Sequence, residues 1–272
     1  IPPELREDSG EIEAASNYHN SPKFPKRLIE LKDICGDLQT HSQYSDGDNS
    51  IEQLVAAAAK SAYQYIAITD HAPSIRTNSE SQIKSWITKR KADFDKAQGL
   101  YPNINIINGV EVNIPASGGM ALPDKLLGEF DWVLASIHTS FKKSEGEQTA
   151  RILSALENPY VSALAHPTDR LLLERGAINA DWDSIFRFAA EKGKLVEINA
   201  YPNRLDLYDT LIRKAKSFGV KFEISTDAHS VEHLQFMKYG VYMARRGWLE
   251  AQDVANTAPW TDFKNIWLRA SS

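Results

Sequence analysis

Five of the seven histidines in this chain stand directly after short apolar runs. His41 follows 34–40, His71 closes ITDH after 64–69, and His138 closes ASIH after 131–137. His166 lies in ALAHP after 160–165, and His229 in STDAH after 221–226. Asp46, Asp70, Glu111 and Asp227 gather at the same run ends. If strand ends make up ~10% of the chain, chance places about one histidine there, at the face where barrel enzymes do their chemistry. A lone imidazole at a strand end is ordinarily a hydrogen-bonded structural residue. Five of them beside several carboxylates would leave polar groups poorly satisfied unless an ion collects them. Imidazole and carboxylate without thiolate suit Zn, Mn or Fe, and the set is too nitrogen-rich for a dedicated Ca or Mg site. About eight ligands exceed one tetrahedral or octahedral centre, so more than one divalent ion is expected. Multinuclear centres of this kind serve phosphoester hydrolysis or amide hydrolysis, one ion activating water and the others stabilising charge on the attacked group.

The elements that must position these residues alternate along the chain. Strand-like runs at 34–40, 64–69, 104–112, 131–137, 160–165, 194–199 and 221–226 are separated by stretches with helical spacing. Ser50 and Gln53 form a capping-box pattern ahead of IEQLVAAAAKSAY. Further helices are predicted at 81–97, 147–157, 181–192 and 206–218, the last ending at Gly219. Strands nearly always followed by helices mean parallel pairing through crossovers. The economical architecture is α/β, a distorted seven-stranded (β/α)7 barrel. Period-two alternation after the first run points positions 37, 39 and 41 to one side, toward the barrel mouth. Ser45-Asp46-Gly47 then turns Asp46 back. Asp37 is expected to orient a ligand, and Asp70 either does the same or ends its strand.

Composition narrows the class. With 272 residues, one large core is the default. Residues 1–30 hold four prolines and many charges without sustained periodicity, which reads as a linker or N-terminal arm ahead of a domain at 31–272. The net charge of −5 argues against holding nucleic acid by bulk electrostatics, leaving a few local contacts as the route. Cys35 is the only cysteine, which excludes an internal disulfide and a cysteine zinc site and fits a reducing cytoplasm. No apolar run approaches membrane-spanning length and no signal segment opens the chain. The first residue is Ile, so the chain reads as part of something longer or as a processed product.

DLQTHSQYSDG, AITDHAP, NGVEVNI, ASIHTSF, LAHPTDR and STDAHS occur in that order. Together they resemble the successive motifs of the PHP (polymerase and histidinol phosphatase) family over residues 34 to about 240. The resemblance implies a distorted seven-stranded barrel of the PHP type and a site for up to three divalent ions (Mn, Zn or Fe). By position, His41, Glu111 and Asp227 would hold a first ion, and Glu111 would bridge to a second held by His138 and His166. Asp46, His71 and His229 would hold a third. Gln39 stands where the family's opening motif normally has histidine, so an amide oxygen would serve the first ion.

Within the family, IPPELREDSGEIEAA, ALENPYVSALAHPTDRLL and STDAHSVEHLQFM resemble the C-terminal PHP domain of bacterial family X DNA polymerases. Glutamine in the first motif also occurs there. That likeness implies a manganese-dependent 3′–5′ exonuclease, with 3′-end processing or abasic-site repair. Its substrates would be DNA 3′ ends or gapped or abasic DNA, and a polymerase portion would precede this chain. The catalytic set would be Glu111, His138 and Asp227, with Arg170 and Arg204 clamping the phosphate.

Guanidinium matches phosphate geometry, and Arg170 and Arg204 are placed to reach the mouth, with Arg76 weaker. Tyr201 is placed to stack on a base or to pack the rim. Lys84, Lys89, Arg90 and Lys91 read as a solvated helix face beside Ile83, Ile87 and Phe94. His233 is left outside the metal set. Histidine ligands predict activity falling below about pH 6. Two other readings stand beside the nuclease: a small-molecule phosphomonoesterase of the histidinol-phosphatase type, and a non-catalytic, metal-stabilised docking module.

Overall fold

The computed structural model describes residues 25–268. Seven strands lie side by side in chain order: β1 Gly36–Asp37, β2 Tyr65–Ile68, β3 Asn105–Asn113, β4 Trp132–Ser136, β5 Ala163–Leu164, β6 Leu195–Asn199 and β7 Phe222–Ser225. Every neighbouring pair is parallel. Among the described residues, the first and last strands meet through the bridge between Thr40 and Ala228, so the barrel is nearly closed. Between the strands run α1 Ile51–Lys60, α2 Glu80–Leu100, α3 Asp124–Leu127, α4 Glu145–Leu156, α5 Trp182–Lys192 and α6 Asp209–Ser217. After β7 come a 3₁₀ segment Val231–Phe236, α7 Met237–Arg246 and α8 Trp260–Trp267.

Caps fix where the helices begin. Ser50 with Gln53, Ser79 with Gln82 and Ser144 with Glu147 form reciprocal capping boxes. The Ser144 cap starts α4 at Glu145, two residues before the predicted 147. The helix predicted at 206–218 begins only at Asp209, because Asp206 is fully buried and accepts hydrogen bonds from the Thr168 N–H and hydroxyl. Packing also begins before Leu31: Ile29 is fully buried, donates its N–H to Leu249 and accepts from Arg245. Residues 1–24 of the expected arm lie outside the described residues.

Strand residues divide between two faces. Val110, Val112, Val133, Val196, Ile198 and Ile224 belong to the core shared with the helices. Alternate positions, Ile107, Trp132, Leu134, Ala163 and Leu195, form an inner floor with Tyr65. Phe263 of α8 closes that floor, its ring stacked 4.7 Å from Tyr65. Further along the strands the inward positions turn polar, and Glu111, Ser136, Glu197, Asn199, Glu223 and Ser225 are all buried. Covering the outside with apolar helices leaves the barrel mouth free for polar chemistry.

The first strand departs from expectation. It pairs as a strand over two residues and bends at Leu38, so simple alternation does not carry through to His41. The bend is held instead by Asp37, whose carboxylate accepts the Gln39 and Thr226 N–H groups and the Thr226 hydroxyl.

Candidate metal centre

Glu111 of β3 is the hub. Its Oε1 lies 2.9 Å from His166 Nε2 and 3.2 Å from His138 Nε2. Its Oε2 lies 3.3 Å from His71 Nδ1 and 3.4 Å from His41 Nε2, and accepts from Gln39 Nε2 at 3.1 Å. Asp227 Oδ1 is 3.1 Å from His41 Nε2. On the outer side, Asp46 Oδ2 is 3.4 Å from His229 Nε2 and 3.5 Å from His71 Nε2. All nine residues named as ligands from the sequence therefore share one mouth.

Ligand atoms within 4.8 Å of one another define three groups: His41, Glu111 and Asp227; His71, Glu111 and His138; and His41, Asp46, His71 and His229. The first is the expected first set, and the third is the expected third set with His41 added. In the second, His71 stands beside Glu111 and His138, while His166 keeps its own contact with Glu111.

The residues fit divalent ions on their own chemistry. Both ring nitrogens of His41, Nδ1 of His166 and Oε1 of Gln39 are buried without a hydrogen-bond partner among the described residues. Buried lone pairs left unpaired are costly, and an ion satisfies them. His166 and Asp227 also hold left-handed backbone at φ 27° and 53°, conformations that persist where the surroundings fix them.

The charges are tightly interlocked. Burial alone would raise Glu111, but the imidazoles of His71, His138 and His166 outweigh it and hold the carboxyl well below its usual range. His229 and His71 hold Asp46 far below the usual range. Burial opposes protonation of His71, yet Glu111 and Asp46 push it up to about 9. His229 is likewise pushed up to about 9 against burial, by Asp46 and Asp227. His166 is lowered by burial and by the Arg204 guanidinium.

Supporting residues aim the ligands. His138 Nδ1 pairs with Asn113 Oδ1 at 2.6 Å, leaving Nε2 toward Glu111. His229 Nδ1 donates to the Asp227 carbonyl at 2.7 Å, which frees its Nε2 for Asp46. His233 stays outside the cluster, its Nδ1 accepting the His229 N–H. Asn199 Nδ2 donates to Asp227 Oδ2 at 3.1 Å. Asp70 accepts from the Ser42 N–H and from the Ser42 and Ser45 hydroxyls, so it anchors the turn carrying Asp46. Gly47 is required there because a side chain would overlap the His41 carbonyl.

The arginines need correction. Arg204 reaches the centre, with Nη1 on Asp169 at 2.8 Å and Nε 3.5 Å from Asp227 Oδ2. Arg170 instead donates to the Arg204 and Leu205 carbonyls and lies over the Tyr208 ring, so it props the Arg204 loop rather than pointing at the cluster. Arg175 takes a nearer place, bonding Asp169 Oδ2 at 2.8 Å and covering Phe141. Arg76 lies in an exposed loop. Arg90, read as solvated, is fully buried against Asp70. Asn113, Asp169 and Arg175 were missed, although Asn113 sits two positions along the strand from Glu111 and Asp169 three from His166.

Comparisons agree with this geometry. The chain is 39% identical over 256 residues to the DNA polymerase/3′-5′ exonuclease PolX of Bacillus subtilis, covering 94% of this chain and 44% of that protein. It is 30% identical to a probable phosphatase of Thermoanaerobacter sp., covering 71% of this chain and 78% of that one. The histidinol phosphate phosphatase of Lactococcus lactis, solved with zinc, L-histidinol and phosphate, shares the fold at a TM-score of 0.54 and 16% identity over 78% of this chain and 94% of that one. The PHP domain family matches residues 37–226. This chain, with its ligand-lined seven-stranded barrel, therefore belongs to the PHP domain family, whose members are metal-dependent phosphoesterases.

Proposed function

We propose that this domain is a metal-dependent phosphodiesterase that removes nucleotides from DNA 3′ ends. The observation that carries the reading is the convergence on Glu111 of imidazoles and carboxylates, in a chain 39% identical to a protein named as a 3′-5′ exonuclease. Up to three divalent ions fit, Mn, Zn or Fe, and when bound they supply an activated water and neutralise developing phosphate charge.

This chain's residues do the rest. Gln39, His41, Glu111 and Asp227 would hold an inner ion, and Glu111 would be shared with a second held by His138 and His166. Asp46, His71 and His229 would hold an outer one. Asn113 fixes the His138 ring, and Asp169 holds Arg204 where its guanidinium can orient the scissile phosphate. Hydrolysis adds water across the terminal P–O3′ bond, freeing a nucleoside 5′-monophosphate and restoring a 3′-hydroxyl. Gapped or abasic DNA would be processed at the same site, and a polymerase portion ahead of this chain would deliver such ends.

A second reading, hydrolysis of a small phosphomonoester, is favoured by the relatives named as probable phosphatases. The test is a resection assay with a 5′-labelled recessed duplex and manganese, run beside His138→Ala and a small phosphomonoester. A ladder of shortened products that disappears in the variant supports the nuclease. Phosphate released only from the small ester moves the function to the second reading. Bound metal with neither activity moves it to a docking module.

A further inference from the structure

From the rim of the metal centre a file of aromatic rings runs outward along the 3₁₀ segment and α7. Tyr201 meets His229 edge to face at 6.3 Å and continues to Phe236 at 5.4 Å. Phe236 is 6.0 Å from Tyr239, and Tyr239 is 6.3 Å from Tyr242. His233 stacks on Phe236 at 4.9 Å. Helical spacing explains the line: 236, 239 and 242 are three apart, while Met237, Gly240, Val241 and Ala244 form the buried face of α7. The rings are therefore not the helix's core side. Tyr242 is 57% exposed, and Lys238 Nζ lies 5.0 Å from the Tyr239 ring centroid.

We propose that this file is the track for the single strand leading into the metal centre, with successive bases laid on Tyr201, Phe236, Tyr239 and Tyr242. The proposal rests on the DNA reading above and deepens it. Three observations favour single-stranded nucleic acid as the occupant. The track begins against His229, a ligand of the centre where the 3′-terminal phosphate would sit, so it continues an existing site rather than standing alone. Its spacing offers one aromatic platform per nucleotide, and every base has a face that can stack. The chain's net charge of −5 denies it a bulk electrostatic grip, so stacking supplies what charge does not. The strand's 5′ side would run outward toward Tyr242.

The test uses the manganese-loaded chain and 5′-fluorescein oligothymidylates of about two to about twelve nucleotides, with phosphorothioate linkages that resist cleavage, followed by anisotropy. Affinity is expected to rise with length until the rings are filled, at about four to six nucleotides, and then to level off. Tyr239→Ala and Tyr242→Ala should each weaken the longer oligonucleotides by about tenfold, and the phenylalanine variants should bind within about twofold of wild type. Abasic sites at the upstream positions should weaken wild type by the same factor and cost the alanine variants nothing further. A merely structural role for the tyrosines would not show that non-additivity. Alanine variants that bind every length like wild type overturn the track while leaving the nuclease reading intact. Wild type that neither binds nor cuts oligonucleotides, yet releases phosphate from a small ester, overturns both.

Discussion

Arg90→Met tests the link between the helix layer and the metal mouth. The Arg90 guanidinium is fully buried and donates through Nε to Asp70 Oδ2 at 3.0 Å. It also donates to Asn108 Oδ1 at 3.3 Å and to the carbonyls of Ile68 and Gly109 at 2.9 and 3.1 Å. The Trp86 and Phe94 rings lie 4.5 and 5.1 Å from it. Methionine keeps much of the apolar contact but leaves the Asp70 carboxylate buried with only its serine donors. Removing one member of a buried ion pair costs roughly 3–5 kcal/mol, because the remaining charge is uncompensated. The Asn108 amide oxygen and the Ile68 and Gly109 carbonyls each lose a donor as well, which pushes toward the upper end of that range. Against a total stability of about 5–15 kcal/mol, a loss of about 4 kcal/mol is severe.

The assay is urea denaturation of the metal-free protein by tryptophan fluorescence, so that ion binding does not contribute to the difference. Adding Asp70→Asn to Arg90→Met removes the orphaned charge while keeping an acceptor for Ser42, and should recover about 2 kcal/mol. Because Asp70 anchors the turn that carries Asp46, the single variant should also bind the outer ion more weakly under conditions where it remains folded. A loss under about 1 kcal/mol, or a double variant no more stable than Arg90→Met, would place Arg90's contribution in its aromatic contacts rather than in the ion pair.

Three further outcomes follow from the site. Asn113→Ala removes the partner that fixes the His138 ring and should weaken ion affinity by about 10–100-fold in a chelator competition, with little change in metal-free stability; unchanged affinity would remove Asn113 from its positioning role. Gln39→His replaces an amide whose buried Oε1 is unpaired with a stronger imidazole donor, so ion retention against a chelator should rise, and a fall would show that the pocket is shaped for the amide. His71 and His229 are raised from the ordinary value of about 6.5 to about 9 by their carboxylate neighbours. In the metal-free protein the stabilisation from these two cations is complete below about pH 6.5 and is lost as pH rises through about 9. Ions need the neutral rings, so metal affinity should climb over the same interval, and loading near pH 7.5 should release about two protons into the buffer by calorimetry. A metal-free melting temperature that rises from pH 6.5 to 9, or loading without proton release, would contradict this. Proton competition in the metal-free site thus begins well above the pH of about 6 expected from an unperturbed histidine.

Much of the centre was legible because its ligands obey a local rule: each imidazole closes an apolar run, and parallel strands bring run ends to one rim. The seven-strand count was legible from the same alternation of strand and helix. What escaped depends on partners distant in the chain. Arg90 carried a readable signal, since Ile83, Ile87, Arg90 and Phe94 fall on one helical stripe, yet its neighbours in sequence made it look solvated. Its burial becomes sensible only beside Asp70, twenty residues earlier, just past the end of β2. Arg170 was misplaced for the complementary reason: nearness to His166 along the chain says nothing about which way a loop turns a guanidinium.

The buried acids show how a barrel reverses the usual reading of an alternating strand. In LVEIN of β6 and FEIS of β7 the polar positions would ordinarily face water. Here helices cover the outer face, so Ile198 and Ile224 point to them while Glu197 and Glu223, paired across the strands, turn inward. Burial is the main force holding both carboxyls well above their usual range, and each adds to it through nearby acids. Asp37 is pushed up to about 7 for the same reason. Glu111, Asp227 and Asp46 are held low by imidazoles. The interior therefore divides its acids: imidazole neighbours hold Glu111, Asp227 and Asp46 low, where they are available to dications, and burial reinforced by other acids holds Glu197, Glu223 and Asp37 high. Composition counts all of them alike, and for Glu197 and Glu223 it is the register of β6 against β7 that sets the two carboxyls side by side.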